Sequence, residues 1–194
     1  VRRKIQKKTK QIKLMSMTEE TPAEIERNTT SLTVDNLRLP AYIREIEVLA
    51  HGGMGVVFKA RHGLTGAKLA IKVMLPELAA EVNLMQRFIL EAKLICALSN
   101  PHIVSVYDCA IMDSTTPYMV MEFVEGQTLK DRMAEDEPPN VVEVLEIFSQ
   151  TVEALVHAHR RGVIHRDLKP ANIMLTKDDD GNLFVKVLDF GLAK

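Results

Sequence analysis

The alternation of apolar and polar residues changes near the middle of the chain. In the first half, short runs rich in β-branched and aromatic residues alternate with turn residues, which is typical of antiparallel strands. These runs predict strands at 42–50, 56–61, 67–74, 103–110 and 118–123. Residues 77–98 instead show helical spacing, with an apolar face of Leu84, Phe88, Ile95 and Leu98. The first half is therefore expected to form a small antiparallel sheet that carries one long helix.

The second half of the chain is expected to be mainly helical. The predicted elements are helices at 128–134 and 141–161, the second ended by Gly162, and short strands at 173–175 and 184–188. The two strands are joined by Asp178-Asp179-Asp180-Gly181-Asn182, an acidic run that could also be read as a metal site. Asp, Gly and Asn are the residues that tight turns favour, so a hairpin turn is the preferred interpretation.

The first 36 residues have a different composition from the rest. Residues 1–13 carry seven basic residues and no acidic one, and an acidic stretch and a Thr/Ser-rich piece follow up to Asp35. This pattern predicts a mobile linker or a frayed helix, with contact to a membrane or nucleic acid as the less favoured alternative. Ordered structure is expected to begin near Leu37.

Composition narrows the functional classes. The 25 Lys and Arg residues nearly balance the 26 Asp and Glu residues, so the net charge of -1 gives no reason to expect a nucleic-acid partner. No apolar run approaches the roughly 18 residues of a membrane span, and the basic start lacks the apolar stretch of a signal peptide. Cys96 and Cys109 lie in apolar surroundings, and we expect both to be reduced core residues of a cytoplasmic protein.

A glycine-rich turn between the first two predicted strands is the first candidate for chemistry. The run is Ala50-His51-Gly52-Gly53-Met54-Gly55-Val56-Val57. Glycines let backbone N–H groups approach phosphate oxygens that a side chain would hold away. Taken alone, the run is equally compatible with an ordinary structural hairpin.

Lys72 and Glu91 form a second candidate. Lys72 lies among apolar residues in the third predicted strand, where a buried ammonium group would need an anionic partner. Glu91, in the middle of the predicted helix, is the obvious counter-charge. The alternatives are an edge-strand lysine that points to water and a solvated glutamate.

The third motif decides between these interpretations. His165-Arg166-Asp167-Leu168-Lys169-Pro170-Ala171-Asn172 matches the H-R-D-L-x-x-x-N catalytic loop of protein kinases, and Asp189-Phe190-Gly191 follows after the predicted hairpin. With the glycine loop, Lys72 and Glu91 in the same order, the chain from about Tyr42 to Lys194 resembles the eukaryotic-like serine/threonine protein kinases of bacteria. One departure is Ala50, which stands at the first glycine of the G-x-G-x-x-G-x-V pattern.

The resemblance implies a role for each matching residue. Asp167 would accept or orient the proton of the substrate hydroxyl, and Lys169 would stabilise the transferring γ-phosphoryl group. Asn172 and Asp189 would hold Mg²⁺. Lys72, oriented by Glu91, would hold the α- and β-phosphates of ATP under the backbone of the glycine loop.

The resemblance also implies an adenine site and an aligned core. The implied ATP-binding residues are Ala50, His51, Gly52, Gly53, Met54, Gly55, Val57, Ala70, Lys72, Met121, Glu122, Val124 and Met174. Residues 122–124 would be the hinge that offers backbone hydrogen bonds. The implied core stack is Ile95, Val106, His165 and Phe190, for which plain core packing is the alternative.

The implied fold is α+β and bilobal. Residues 1–36 would be a flexible segment, 37–124 the smaller lobe and hinge, and 125–194 a partial larger lobe. The implied function is transfer of the γ-phosphoryl group of Mg-ATP to a Ser or Thr hydroxyl of a protein substrate. Both ends of the chain look cut, so this polypeptide alone is expected to be nearly inactive, with apolar surface exposed on 141–161. The alternatives are a nucleotide-binding pseudokinase or scaffold and a small-molecule kinase of related fold.

Overall fold

The computed structural model describes residues 32–190. The interpretation of residues 1–31 as a flexible basic-then-acidic segment therefore lies outside the described residues, as does Gly191. Leu32 is already buried in the apolar core, and a 3-10 turn at Val34–Asn36 follows it. The ordered part thus begins before Leu37, the position expected from the sequence.

The first lobe is a five-stranded antiparallel sheet with the strand order β1-β2-β3-β5-β4. The strands are β1 (Ile43–Gly52), β2 (Gly55–His62), β3 (Lys68–Met74), β4 (Val106–Met112) and β5 (Thr116–Glu122). Strand β4 begins three residues later than predicted because the residues before it bond to the second lobe instead. Val104 N donates to Val187 O at 3.0 Å, and Ile103 forms a parallel bridge with Val187.

The long helix predicted at 77–98 is two helices, α1 (Pro76–Ala79) and α2 (Val82–Cys96). The break falls at Glu81, whose backbone is extended with ψ 100°. The predicted apolar face of α2 is confirmed, since Phe88 and Ile95 are buried. The prediction that Cys96 is a core residue is wrong: it follows Ile95 on the helix and its side chain is exposed.

Cys109 is only half-buried, so it is not a fully buried core residue either. Both cysteines are free thiols. Burial and the thiol of Cys96 raise the pKa of Cys109 to about 11, with burial the larger cause. Neutral thiols of this kind pack as small apolar groups.

The second lobe combines a small sheet with one long helix. Its elements are β6 (Gln127–Thr128), α3 (Leu129–Met133), α4 (Val141–His159), a 3-10 turn at Pro170–Asn172, β7 (Ile173–Lys177) and β8 (Leu183–Val187). The sheet has the order β6-β7-β8, and α4 packs on β8. Asn140 caps α4, because its side chain accepts a hydrogen bond from Glu143 N at 3.0 Å.

The acidic run between β7 and β8 is a hairpin turn, as predicted. Asp178 N donates to Asn182 O at 3.0 Å, and Gly181 N donates to Asp178 O at 3.0 Å. Gly181 has a φ of 85°, in the left-handed region that glycine tolerates. The Asp178 carboxylate also accepts from Asn182 N, and these hydrogen bonds hold its pKa below the ordinary value.

Helix α4 has one buried and one exposed apolar face. Ile147, Ala154 and Ala158 are buried against the second sheet. The exposed apolar side chains on α4 are Val141, Val142, Leu145, Phe148, Val152 and Val156. Such a continuous apolar stripe on a helix normally packs against another element. The apolar exposure expected for this helix is confirmed. No helix within residues 32–190 combines the length and apolarity needed to cross a bilayer.

Candidate active site

The glycine-rich run forms the hairpin between β1 and β2. Gly52 and Gly55 are paired at its end, and Gly53 and Met54 make the turn. Met54 O accepts from Leu75 N at 3.1 Å, which ties the tip to the end of β3. A Cβ on Gly55 would overlap the Val73 carbonyl group, so this position requires glycine. The hairpin therefore lies against β3, the strand that carries Lys72.

An apolar cavity of about 130 Å³ lies between the lobes. Its lining residues are Leu49, Val57, Ala70, Val104, Met121, Glu122, Phe123, Val124, Met174, Leu188 and Asp189. The structure thus brings together all the adenine-contact residues implied by the resemblance outside the glycine hairpin. Ala50 and His51 do not line it; they are paired with Val57 and Val56 in the β1–β2 ladder.

Three lining residues were not identified from the sequence: Leu49, Val104 and Leu188. The pairing of β1 with β2 shifts between Val48 and Ala50, so Leu49 is the extra residue of a β-bulge. A bulge redirects one side chain in a way that strand alternation alone does not predict. Leu188 could have been identified from the sequence as a lining residue, because it directly precedes Asp189.

Lys72 reaches across the cleft to Asp189. Its Nζ lies 2.7 Å from Asp189 Oδ1, and the Lys72 side chain is only 17% exposed. Asp189 has a φ of 40°, an unusual backbone conformation for a residue other than glycine. Strained backbone of this kind is common at functional sites. The ion pair joins β3 of the first lobe to the segment that follows β8.

Glu91 is not the direct partner of Lys72 that the resemblance implied. Its Oε2 is buried and accepts no hydrogen bond among the described residues. Burial raises the pKa of Glu91 to about 8, and the positive charges of Lys72 and Arg166 offset only part of that rise. The Asp189 carboxylate adds to it by repulsion. Burial therefore favours the protonated form of Glu91, and Asp189 holds the lysine.

We expect Glu91 to make the stability of the protein fall as pH rises. The folded state holds the Glu91 proton up to a pKa of about 8, whereas the unfolded chain releases it near 4.5. The folded state therefore binds more protons between these values, and stability that is present below pH 4.5 is lost up to about pH 8. Thermal unfolding without nucleotide should show that stability falls less with rising pH in Glu91→Gln than in the parent. Glu81→Gln, an exposed position just before the same helix, should behave as the parent; an unchanged slope in Glu91→Gln would contradict the assignment.

The loop before β7 places two polar side chains, those of Lys169 and Asn172, against the carboxylate of Asp167. Asp167 Oδ2 accepts from Lys169 Nζ at 2.6 Å and from Asn172 Nδ2 at 3.3 Å. Asn172 Nδ2 also donates to Asp167 O at 2.9 Å. These hydrogen bonds, with that from Lys169 the largest cause, lower the pKa of Asp167 below its ordinary value. Arg166 precedes it with a φ of 60°, a second strained residue in this site.

The two motifs of the second lobe are tied together. Leu188 N donates to Asn172 O at 2.9 Å, and His165 Nε2 lies 2.8 Å from Leu188 O. The rings of His165 and Phe190 contact each other with centroids 4.7 Å apart. These contacts fix the loop that carries Asp167 relative to the segment after β8 that carries Asp189.

The expected core stack is assembled in the described residues. Phe190 and Ile95 are buried in one apolar cluster, and Val106 packs against it. His165 joins the stack through its ring contact with Phe190. Helix α2, strand β4 and the loop before β7 therefore share one packing surface across the lobes.

Asn172 and Asp189 fit a hard divalent cation. The Asn172 amide nitrogen is held by Asp167, which leaves its carbonyl oxygen as an acceptor. The Asp189 side chain is 43% exposed, so its carboxylate is accessible from the cleft. Carbonyl and carboxylate oxygens are the protein ligands that Mg²⁺ prefers.

The comparisons with known proteins agree with this geometry. The profile of the protein kinase domain matches residues 43–194, and the chain belongs to this family. It is similar to the bacterial serine/threonine kinases within it. It is 40% identical over 153 residues to the serine/threonine-protein kinase Pkn1 of Myxococcus xanthus, a match that covers 78% of this chain and 21% of the relative. The chain thus spans about a fifth of the length of that curated relative.

Solved kinase structures share the fold. The PknI kinase domain of Mycobacterium tuberculosis superposes with a TM-score of 0.65 at 32% identity, covering 80% of this chain and 64% of that one. Rad53 in complex with AMP-PNP gives a TM-score of 0.66 at 33% identity, covering 78% of this chain and 38% of that one. The architecture described above is therefore an incomplete bilobal kinase fold.

Proposed function

We propose that the protein is an ATP-dependent protein serine/threonine kinase. The observation that carries the proposal is the convergence of two polar groups on one cavity. Asp189, the partner of Lys72, lines the cavity, and Asn172 of the Asp167, Lys169 and Asn172 group is bonded to the residue before Asp189. An apolar slot for a purine beside cationic and carboxylate groups suits phosphoryl transfer, which needs positioning and charge neutralisation more than covalent chemistry.

The residues divide the chemistry between them. Asp167, kept ionised by its hydrogen bonds, accepts the proton of the substrate hydroxyl as the hydroxyl oxygen bonds to phosphorus and the bond to the nucleoside diphosphate breaks. Lys169, within 2.6 Å of Asp167, is placed to neutralise charge on the transferring group. Lys72 holds the remaining phosphates. Mg²⁺, when bound by Asn172 and Asp189, supplies charge neutralisation of the phosphate oxygens.

A serine or threonine hydroxyl is the proposed acceptor because Lys169-Pro170 follows Asp167 and the similar protein Pkn1 is a serine/threonine kinase. The test is transfer from γ-labelled ATP to a generic basic protein by the full-length protein that carries this sequence, followed by phosphoamino-acid analysis. Label on Ser or Thr is expected. Label on Tyr alone, or none in a folded sample that binds ATP, would reject the proposal; the second outcome favours a scaffold.

Residues 1–194 alone should transfer phosphate only at background rate. Among the described residues the apolar stripe of α4 is exposed, as are the side chains of Ile164, just before the catalytic loop, and Leu168, within it. Loose packing there misplaces Asp167, and small misplacements of a catalytic group reduce rates strongly. The fragment and the full-length protein should be assayed together, with ATP binding measured by calorimetry. Equal turnover by the fragment would refute this prediction.

We further propose a cytoplasmic location and no nucleic-acid partner. The free thiols of Cys96 and Cys109 suit a reducing compartment, and the near-zero net charge of -1 offers no general attraction to polyanions. Cell fractionation and a filter-binding assay with mixed nucleic acid test the two statements.

A further inference from the structure

An ion pair joins the first hinge residue to the second sheet. Lys186 Nζ in β8 is 2.7 Å from Glu122 Oε2 at the end of β5. The two side chains are only 14% and 26% exposed, so the pair is more shielded from water than an ordinary surface ion pair. The pair joins the two lobes, because β5 belongs to the first sheet and β8 to the second.

A second contact fixes the same carboxylate. Ser105 N donates to Glu122 Oε2 at 3.2 Å, and Glu122 N donates to Ser105 O at 2.9 Å. The segment just before Ser105 is itself bonded to β8, since Val104 N donates to Val187 O and Val187 N donates to His102 O at 2.8 Å. A hydrogen-bond network therefore connects strand β8, the segment 102–105 and the end of β5.

Glu122 connects this hydrogen-bond network to the nucleotide cavity. Glu122 also lines the apolar cavity, together with the next two hinge residues, Phe123 and Val124. Its carboxylate is held by Lys186 and Ser105 N, so these bonds fix the hinge at its first residue. Strand β8 continues directly into Leu188 and Asp189, which line the same cavity. A displacement of Lys186 would therefore alter the hinge relative to the strand that leads to Asp189.

We propose that Lys186 is a positioning residue that holds the hinge backbone in place through Glu122 and so sets the affinity for the nucleotide. The inference rests on the proposed kinase function. Lys186 is not among the residues that line the cavity, so it acts through Glu122. Without the ammonium group, the partly buried Glu122 carboxylate keeps Ser105 N as its one hydrogen-bond partner within residues 32–190 and turns toward water, which displaces the hinge.

The test compares Lys186→Met with Lys186→Arg in the full-length protein. Lys186→Met should raise the KM for ATP about threefold or more while kcat at saturating ATP stays within about twofold, because couplings across such networks correspond to that range. Lys186→Arg should restore the KM, since guanidinium can also bond the Glu122 carboxylate. Lys177→Met, at the exposed end of the neighbouring strand β7, is the matched control and should leave the KM unchanged.

Hydrogen exchange of the amides in 120–126 supplies a readout that does not need turnover. Exchange there should be faster in Lys186→Met than in the parent and the control, while thermal unfolding shows a folded protein in all three. If Lys186→Met does not fold, Glu122→Gln replaces it and should raise both the exchange rate and the KM in the same direction.

Several outcomes would overturn the inference. One is that Lys186→Met leaves both the KM for ATP and the hydrogen exchange of 120–126 unchanged. Another is that Lys186→Met changes the KM by the same factor as Lys177→Met. A rise in kcat with the KM unchanged would also overturn it, because the pair would then oppose catalysis rather than position the nucleotide. If the parent binds ATP but transfers no phosphate, the proposed kinase function fails, yet the ATP affinity and hydrogen exchange still decide the role of Lys186.

Discussion

Asp167→Asn should reduce kcat for phosphotransfer by about 10²–10⁴-fold, the usual contribution of a positioned general base. The Asn amide has nearly the shape of the carboxylate, and its oxygen can still accept from Lys169 Nζ, which lies 2.6 Å from Asp167 Oδ2 in the parent. The fold and the KM for ATP should therefore change little. What is lost is a group that can take the proton of the attacking hydroxyl.

The measurement is steady-state transfer from γ-labelled ATP by the full-length protein, with thermal unfolding to confirm the fold. Asp179→Asn, in the exposed β7–β8 turn, is the control for removing one acidic charge from the same lobe and should keep full activity. If Asp167→Asn retained most of its kcat, Asp167 would not be the base, and the cluster around it would be structural.

Asp189→Ala should reduce transfer by about 10²–10³-fold, the cost typical of losing one transition-state electrostatic contact. Two contacts are lost together: the expected carboxylate ligand of Mg²⁺ and the 2.7 Å ion pair with Lys72. The requirement for Mg²⁺ should shift to higher concentration. Asp136→Ala, at an exposed loop position, should change neither the rate nor the Mg²⁺ titration.

Asp189→Ala should also lower the pKa of Glu91. In the parent, the Asp189 carboxylate helps to raise the pKa of Glu91 to about 8. Without Asp189 that repulsion disappears and Lys72 has no other ion-pair partner within residues 32–190, so the pKa of Glu91 should fall and Glu91 should pair with Lys72. Stability should then decline less between pH 5 and 8 in Asp189→Ala than in the parent. A decline as steep as in the parent would show that Glu91 and Asp189 do not compete for Lys72.

Much of the secondary structure was predictable because its signals are local. The β1–β2 hairpin follows from glycines between two β-rich runs, and the β7–β8 turn from an Asp-rich run with Gly181. Helix α4 follows from its apolar spacing and from Gly162. The break at Glu81 was missed because the apolar face that defined the predicted helix, from Leu84 to Leu98, lies entirely after it.

The candidate site was predictable as a set of residues. The order of Lys72, Glu91, Asp167, Asn172 and Asp189 indicates the kinase family without any coordinates. Their roles in the family pattern were implied by that resemblance, and they remain proposals for this chain. Exposed apolar surface on residues 141–161 was likewise an expectation drawn from the resemblance.

The tertiary structure decided which of these groups are partners. Lys72 pairs with Asp189 rather than with Glu91. This pairing depends on where α2 and the segment after β8 lie relative to β3, which a local sequence pattern does not predict. Burial then raises the pKa of Glu91, an effect of desolvation that only the packed fold produces.

The sequence by itself determined the class of protein, because short motifs with strict residue requirements carry the chemistry. Only the tertiary structure decided that Leu49 lines the cavity through a bulge, that Cys96 is exposed, and that Lys186 bonds Glu122 across 64 positions of the chain. Each of these depends on contacts between segments far apart in sequence, and such contacts form only when the two lobes pack together.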